Sequence, residues 1–328
     1  MLKQMLRSLA LTGLAAVALT LPGTARAQTP EKVTIVVFSF PSLGAFMPPV
    51  IKAKKMDTAH GIDINFVERP PDAYTTQFNS GEFQVGGSAA VLTVGLADLR
   101  GVKVKYLFNL FDYWGTFVTS NPAVKTIKDL EGKQVAAASS TTNFVMSEFF
   151  AKKQGVDPSK MQIVNTAPPG LVGYALANRA DAVQLWEPAY TLLKARKPDV
   201  RILDTKMTAT WKSFAGGERI PYLGVAAHTD WIEKHQATVT KLYDTYKEAG
   251  EFITQHPDEA AALIAPKATA EQKAALISLI KANERLGMNV APAGEMSKQI
   301  EAVYKAGMDV GYLKSEPSKD TIYAKPMK

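Results

Sequence analysis

The chain has 328 residues, 46% hydrophobic and 21% charged, the balance of an ordinary globular protein with a sizeable core. Its formal charge of +7 is scattered rather than clustered, so it carries no nucleic-acid footprint. It has no cysteine, which excludes disulfides, thiolate metal sites, iron–sulfur ligation and a thiol nucleophile together.

Residues 1–27 read as a secretory signal peptide. Lys3 and Arg7 precede an uncharged run from Ser8 to Leu21, and Ala25-Arg26-Ala27 then places small residues where a signal peptidase cuts. The run is too short to span a bilayer, which takes about 20 apolar residues. No twin arginine and no cysteine accompany it, so no lipid anchor is expected. The secreted chain is expected to begin near Gln28. Without Lys3, Arg7 and Arg26 its charge falls to +4, a weak field that favours small anions.

Beyond residue 30, short β-branched runs alternate with amphipathic stretches, the pattern of an α/β fold. Strands are predicted at Val33–Phe38, Gly61–Val67, Phe83–Val85 and Lys103–Leu107. Between them, helices are predicted from about Ala45 to Lys55, Asp72 to Asn79 and Ala89 to Leu99. A second block opens with a capping box at Thr126-x-x-Asp129, closed by Gly132. It continues with strands at Gln134–Ala138, Gln162–Asn165, Ala182–Trp186 and Arg201–Leu203, and with helices over Asn143–Gln154 and Gly170–Asn178. From Tyr222 the texture is helical. Val239, Leu242, Tyr246, Ala249 and Ile253 make one core-facing stripe, Thr269-x-x-Gln272 caps another helix, and Met296, Ile300, Val303 and Tyr304 stripe the last.

The chain has no dinucleotide or P-loop glycine motif, no HExxH and no nucleophile elbow. Its four histidines show no HxH or HxxxH spacing. What it does have is a set of strand-to-helix turns built from small and hydroxyl residues, at Ser42, Ser88-Ala89 and Ser140-Thr141-Thr142. Helix starts offer unpaired N–H groups and a partial positive charge, so such turns on one rim make an anion pocket.

Three segments carry a family resemblance: FNSGEFQVGGSAAVL (78–92), TIKDLEGKQVAAASSTTNF (126–144) and ANRADAVQLWEPAY (177–190). In this order they resemble periplasmic substrate-binding proteins of ABC importers, of the aliphatic-sulfonate, taurine, nitrate and thiamine-pyrimidine (NMT1-like) type. Gln84 departs from that pattern, standing where aspartate is usual. The resemblance implies an α/β, two-lobed periplasmic-binding-protein fold (type II), each lobe a mostly parallel sheet flanked by helices. Lobe 1 would comprise 31–113 plus 222–328 and lobe 2 residues 114–221. Two hinge strands would cross near Phe111–Gly115 and Arg219–Gly224.

The same resemblance implies a periplasmic, monomeric, non-enzymatic protein without cofactor or metal. It would capture a small organic anion, of the sulfonate or aromatic carboxylate class, and deliver it to an ABC permease and through it to an ATPase. A sensor protein in place of the permease is the alternative. Enzymes of this fold, an iron-dependent pyrimidine synthase and a desulfinase, rely on cysteines that this chain lacks. Matched residue by residue, Phe40, Pro41 and Ser42 form the first binding loop and Ser88 and Ala89 the second. Ser140, Thr141, Thr142 and Asn143 form the second-lobe helix start, and Gln184, Trp186 and Glu187 the strand exit over the ligand, with a hydrogen bond across the lobes as the alternative for Glu187. Phe40, Phe46, Trp186, Trp211 and Phe214 are available as apolar walls, and Arg69, Arg179 and Arg219 as partners for a second acid.

Overall fold

Two sheets carry the fold, each wound from strand–helix–strand units. The computed structural model describes residues 29–327, so the signal-peptide expectation lies outside the described residues. The chain runs through β1 (Glu31–Phe38), α1 (Pro48–Lys54), α2 (Met56–Ala59), β2 (Ile62–Arg69), α3 (Pro71–Asn79), β3 (Val85–Ala90), α4 (Val91–Leu99) and β4 (Val104–Asp112). It then crosses to β5 (Gly115–Thr119), β6 (Gln134–Ala137), α5 (Thr142–Lys153), β7 (Gln162–Asn165), α6 (Pro168–Leu176), β8 (Ala182–Trp186), α7 (Ala189–Arg196) and β9 (Arg201–Leu203). After α8 (Met207–Ala215) it returns through β10 (Pro221–His228), α9 (Thr229–Lys234), α10 (Gln236–Gln255), α11 (Pro257–Ile264), α12 (Ala270–Ala282), β11 (Met288–Pro292) and α13 (Ser297–Asp309).

The first sheet has the order β11-β4-β10-β3-β1-β2, the second β7-β6-β8-β5-β9. Four strands of six in the first sheet, and four of five in the second, point the same way. The reversed strands include β10 and β5, the ones reached by crossing from the other sheet. A chain that leaves one sheet at its C-terminal rim enters the other at the matching rim and must run downward. The crossings touch: Tyr113 N–H donates to Ile220 C=O at 2.7 Å. Beside them Phe149 and Phe150 of α5 pack on Trp211 of α8 in one buried cluster.

Most predicted elements form, and the departures have local causes. The helix expected over Ala45–Lys55 is broken. Pro48 and Pro49 fit only a first helical turn, so α1 starts at Pro48, and Lys55 in the left-handed region (φ 56°) separates it from α2. The third strand is Val85–Ala90 rather than Phe83–Val85, so Gly86-Gly87-Ser88 lies inside the sheet. Those glycines allow close approach. A Cβ on Gly86 would stand 2.3 Å from the Tyr74 hydroxyl, and one on Gly87 2.9 Å from that of Tyr246. Strand β11 has no counterpart in the sequence expectation, β5 and β10 are met by it only where they adjoin the crossings near Phe111–Gly115 and Arg219–Gly224, and β10 interrupts the segment read as helical. Both capping boxes form, and the predicted stripes of α10 and α13 are buried.

Candidate functional site

A cavity of about 730 Å³ opens where the C-terminal ends of the co-directional strands face one another. The segments that leave β1, β2 and β3 wall one side, and those that leave β6, β7 and β8 the other.

On the first side, Phe40, Pro41 and Ser42 line the cavity, with Phe40 40% exposed at its surface. Ser42 Oγ accepts the Gly44 N–H at 3.3 Å and caps a short 3-10 turn over Leu43–Ala45. Ser88 and Ala89 do not reach the wall. Both are buried in β3, and Ser88 Oγ accepts the Phe38 N–H at 2.9 Å, tying the end of β1 to its neighbour. Ala90 lines the cavity in their place, as the N-cap of α4 with no side-chain cap of its own.

On the second side, Ser140, Thr141, Thr142 and Asn143 all line the cavity. Thr141 also holds the turn together, since its hydroxyl accepts the Phe144 N–H at 3.3 Å and donates to Ala138 C=O at 2.8 Å. Thr142 and Asn143 are buried at the helix start and face the Tyr222 hydroxyl, whose pKa burial pushes up to about 12. Gln184 is fully buried beneath them. Its amide donates to Asn143 Oδ1 at 2.7 Å and its Oε1 accepts the Ala138 N–H at 3.3 Å, so it orients the wall without forming it. Trp186, two residues further along β8, does line the cavity.

Glu187 does not. Its carboxylate is fully buried, accepts the Thr191 N–H and hydroxyl at 3.0 Å each, and takes the Arg285 Nε–H at 2.8 Å from a segment that follows α12. Burial raises its pKa above the usual carboxylate range, against the pull of Arg285 and Thr191. The other expected walls and charges also move. Trp211 is fully buried and donates to Arg219 C=O at 2.8 Å, and Phe46 packs on Phe111 in the core. Phe214 packs on Phe149 and Trp211 and does not line the cavity. Arg219 pairs with Asp112 at 3.0 Å, Arg69 donates to Gln77, and Arg179 lies away from the cavity.

The sequence expectation missed the proline pairs. Pro70-Pro71 opens α3 and Pro168-Pro169 opens α6, and both pairs line the cavity. Proline has no N–H, so these positions present flat apolar surface where other helix starts present donors. The donor-bearing starts of eight-residue or longer helices at the wall are therefore those of α4 and α5. The α3 face with Asp72, Thr75, Thr76 and Asn79 was also missed, as were Thr93, Leu96 and Arg100 on α4 and Tyr222 and Tyr312. Pro-Pro two residues after a predicted strand was the available signal. Among the described residues no three His, Asp or Glu side chains gather as a metal site.

Comparison with known proteins identifies the family and the fold. The model of the family described as NMT1/THI5 like matches residues 58–260, more than half of the chain, and the chain belongs to that family. A relative is the taurine-binding periplasmic protein of Escherichia coli (strain K12), 24% identical over 182 residues. That match covers 55% of this chain and 53% of the relative, so it spans about half the length of each. Among solved structures, the alkanesulfonate-binding protein SsuA from Xanthomonas axonopodis pv. citri bound to MOPS superposes with a TM-score of 0.72. It is 15% identical, over 88% of this chain and 96% of that one. The periplasmic aliphatic sulphonate binding protein SsuA from Escherichia coli gives a TM-score of 0.68 at 17% identity, over 89% and 96%. The fold is therefore the two-lobed periplasmic-binding-protein fold.

Proposed function

We propose that this protein captures a small organic acid, of the sulfonate or aromatic carboxylate class, between its lobes in the periplasm and delivers it to an ABC permease. One observation carries the reading. A single cavity is walled by strand exits from both sheets, with donor-bearing helix starts at α4 and α5 and apolar walls at Phe40, Trp186 and the two proline pairs. Its volume lies within the roughly 300–1,000 Å³ that suits a small-molecule ligand.

The acid group sits at Thr142, Asn143 and the N–H groups that open α4 and α5, where developing or fixed negative charge is stabilised. The apolar body lies against Trp186, Phe40, Pro41 and the paired prolines. Residues 31–113 with 222–328 act as one lobe and 114–221 as the other, closing on the ligand because the closed state binds it better. No covalent chemistry is assigned to the site: the chain is a monomeric binding protein.

The test is a thermal-shift screen of alkanesulfonates, taurine and aromatic carboxylates, followed by calorimetry on the hits. Ligand binding to the folded state raises the melting temperature by mass action. At least one of these acids is expected to do so with one-to-one stoichiometry. No stabilisation by any of them, or conversion of a bound acid to product, would overturn the reading.

A further inference from the structure

The cavity does not end at the gap between the sheets. It continues along the first sheet as a groove between α3 and α4, which run the same way because each follows a co-directional strand. Asp72 and Asn79, at the two ends of α3, line it. So do Ala90, Thr93, Leu96 and Arg100, which step along one face of α4. Tyr312, just beyond α13, closes the outer side. At 1.5 Å per residue, Arg100 stands about 15 Å along the helix from Ala90.

The groove is electrically polar end to end. Among the described residues, Arg100 is the only cation that lines the cavity and Asp72 the only acid. Asp72 lies in the first turn of α3, where the helix start already favours its charge. Arg100 lies at the far end and makes no ion pair among the described residues, unlike Arg219 and Arg285. Arg69, Arg179 and Arg219, the arginines expected from sequence to meet a second acid, are absent from the wall.

We propose that the α3–α4 groove is a second subsite and that Arg100 is its anion-recognising residue. The ligand is then an elongated organic acid with a second negative group remote from the one held at the helix starts. This rests on the reading of the cavity as the ligand site.

The experiment compares matched acids by calorimetry at one ionic strength, benzoate with terephthalate and nonanoate with nonanedioate, on the wild type and on Arg100→Gln. Arg100 is exposed and its side chain makes no hydrogen bond or ion pair among the described residues, so the free variant should melt with the wild type. A diacid is expected to bind more tightly than its monoacid, and Arg100→Gln to weaken only the diacid, by about fivefold as suits a partly exposed pair. Equal affinity for mono- and diacid, or equal weakening of both by Arg100→Gln, overturns the subsite and leaves the cavity reading intact. Failure of every acid, including the sulfonates, to bind overturns both.

Discussion

Arg285 and Glu187 are joined across 2.8 Å, and the bond links the two halves of the molecule. Glu187 follows β8 of the second sheet, whereas Arg285 lies between α12 and β11 of the first. The guanidinium also lies over the rings of Trp114, in the first crossing, and Tyr190, in α7, at 5.9 and 5.6 Å to the centroids. Of the two roles the sequence leaves open for Glu187, a ligand contact and a hydrogen bond across the molecule, the structure shows the second.

Removing one partner of such a pair exposes the cost of the other. Glu187 is 0% exposed while the Arg285 side chain is 41% exposed, so water can reach only one side of the gap. Arg285→Met should destabilise the fold by about 2 kcal/mol, less than a fully buried pair would lose because the arginine is partly solvated. Adding Glu187→Gln should recover part of that loss, since no buried charge is then left without its partner. Urea denaturation of both single variants and the double variant measures this. Strictly additive losses would mean that the two side chains do not interact in solution.

The same carboxylate gives a pH signature. Burial, the dominant influence, raises the Glu187 pKa in the folded chain above its unfolded value of about 4.3. A raised acid contributes stability that is fully present below the unfolded pKa and lost as pH climbs through the folded one. Wild type minus Glu187→Gln should therefore shrink in melting temperature as pH rises from 4.5 toward 8. A difference that is flat, or that grows with pH, would contradict a raised Glu187.

Thr141 and Thr142 are neighbours with separable roles. Thr141 caps α5 through Phe144 N–H, so Thr141→Ala should cost about 1 kcal/mol of stability. Thr142 is buried at the cavity wall without bonding to the backbone of its own turn. Thr142→Ala should leave stability nearly unchanged and weaken a bound acid about tenfold, or about 1.4 kcal/mol. Thermal melts and calorimetry on the two single variants separate the effects, and a loss of affinity confined to Thr141→Ala would reverse the assignment.

How much of the molecule was legible in its sequence follows from the physics of each element. The β-branched runs at Val33–Phe38, Gln162–Asn165 and Ala182–Trp186 announce strands because they are short, apolar and bounded by turns. Strand β10, PYLGVAAH, does not, because it is selected by position: it lies between β3 and β4, where a Cβ on Gly224 would meet Phe108 C=O at 2.2 Å. The hydroxyl turn at Ser140–Asn143 was readable as a strand exit at the rim, and it lines the cavity, because its strand end was placed to within one residue. Ser88 was not, because β3 runs on to Ala90 and carries the rim two residues past it. Gln184 sits two residues below Trp186, about 7 Å down the strand, which composition cannot reveal. The polar faces of α3 and α4 read as ordinary surface, since sequence shows a helix face but not what stands opposite it.

Gly44 offers a test of how the first loop is held. A Cβ there would stand 1.9 Å from Ser88 Oγ and 2.9 Å from Ser88 Cβ, both inside a packed strand. That hydroxyl accepts the Phe38 N–H, so Gly44→Ala must either push Ser88 off its bond or lift the loop that carries Phe40 to Ser42. Overpacking of this kind costs about 1–3 kcal/mol, and a lifted loop should also weaken ligand binding. Ser88→Ala removes the nearer clash and keeps the farther one, so Gly44→Ala should cost less in that background than in the wild type. Equal costs in the two backgrounds, measured by denaturation, would show that the loop is positioned by something other than the Gly44–Ser88 contact.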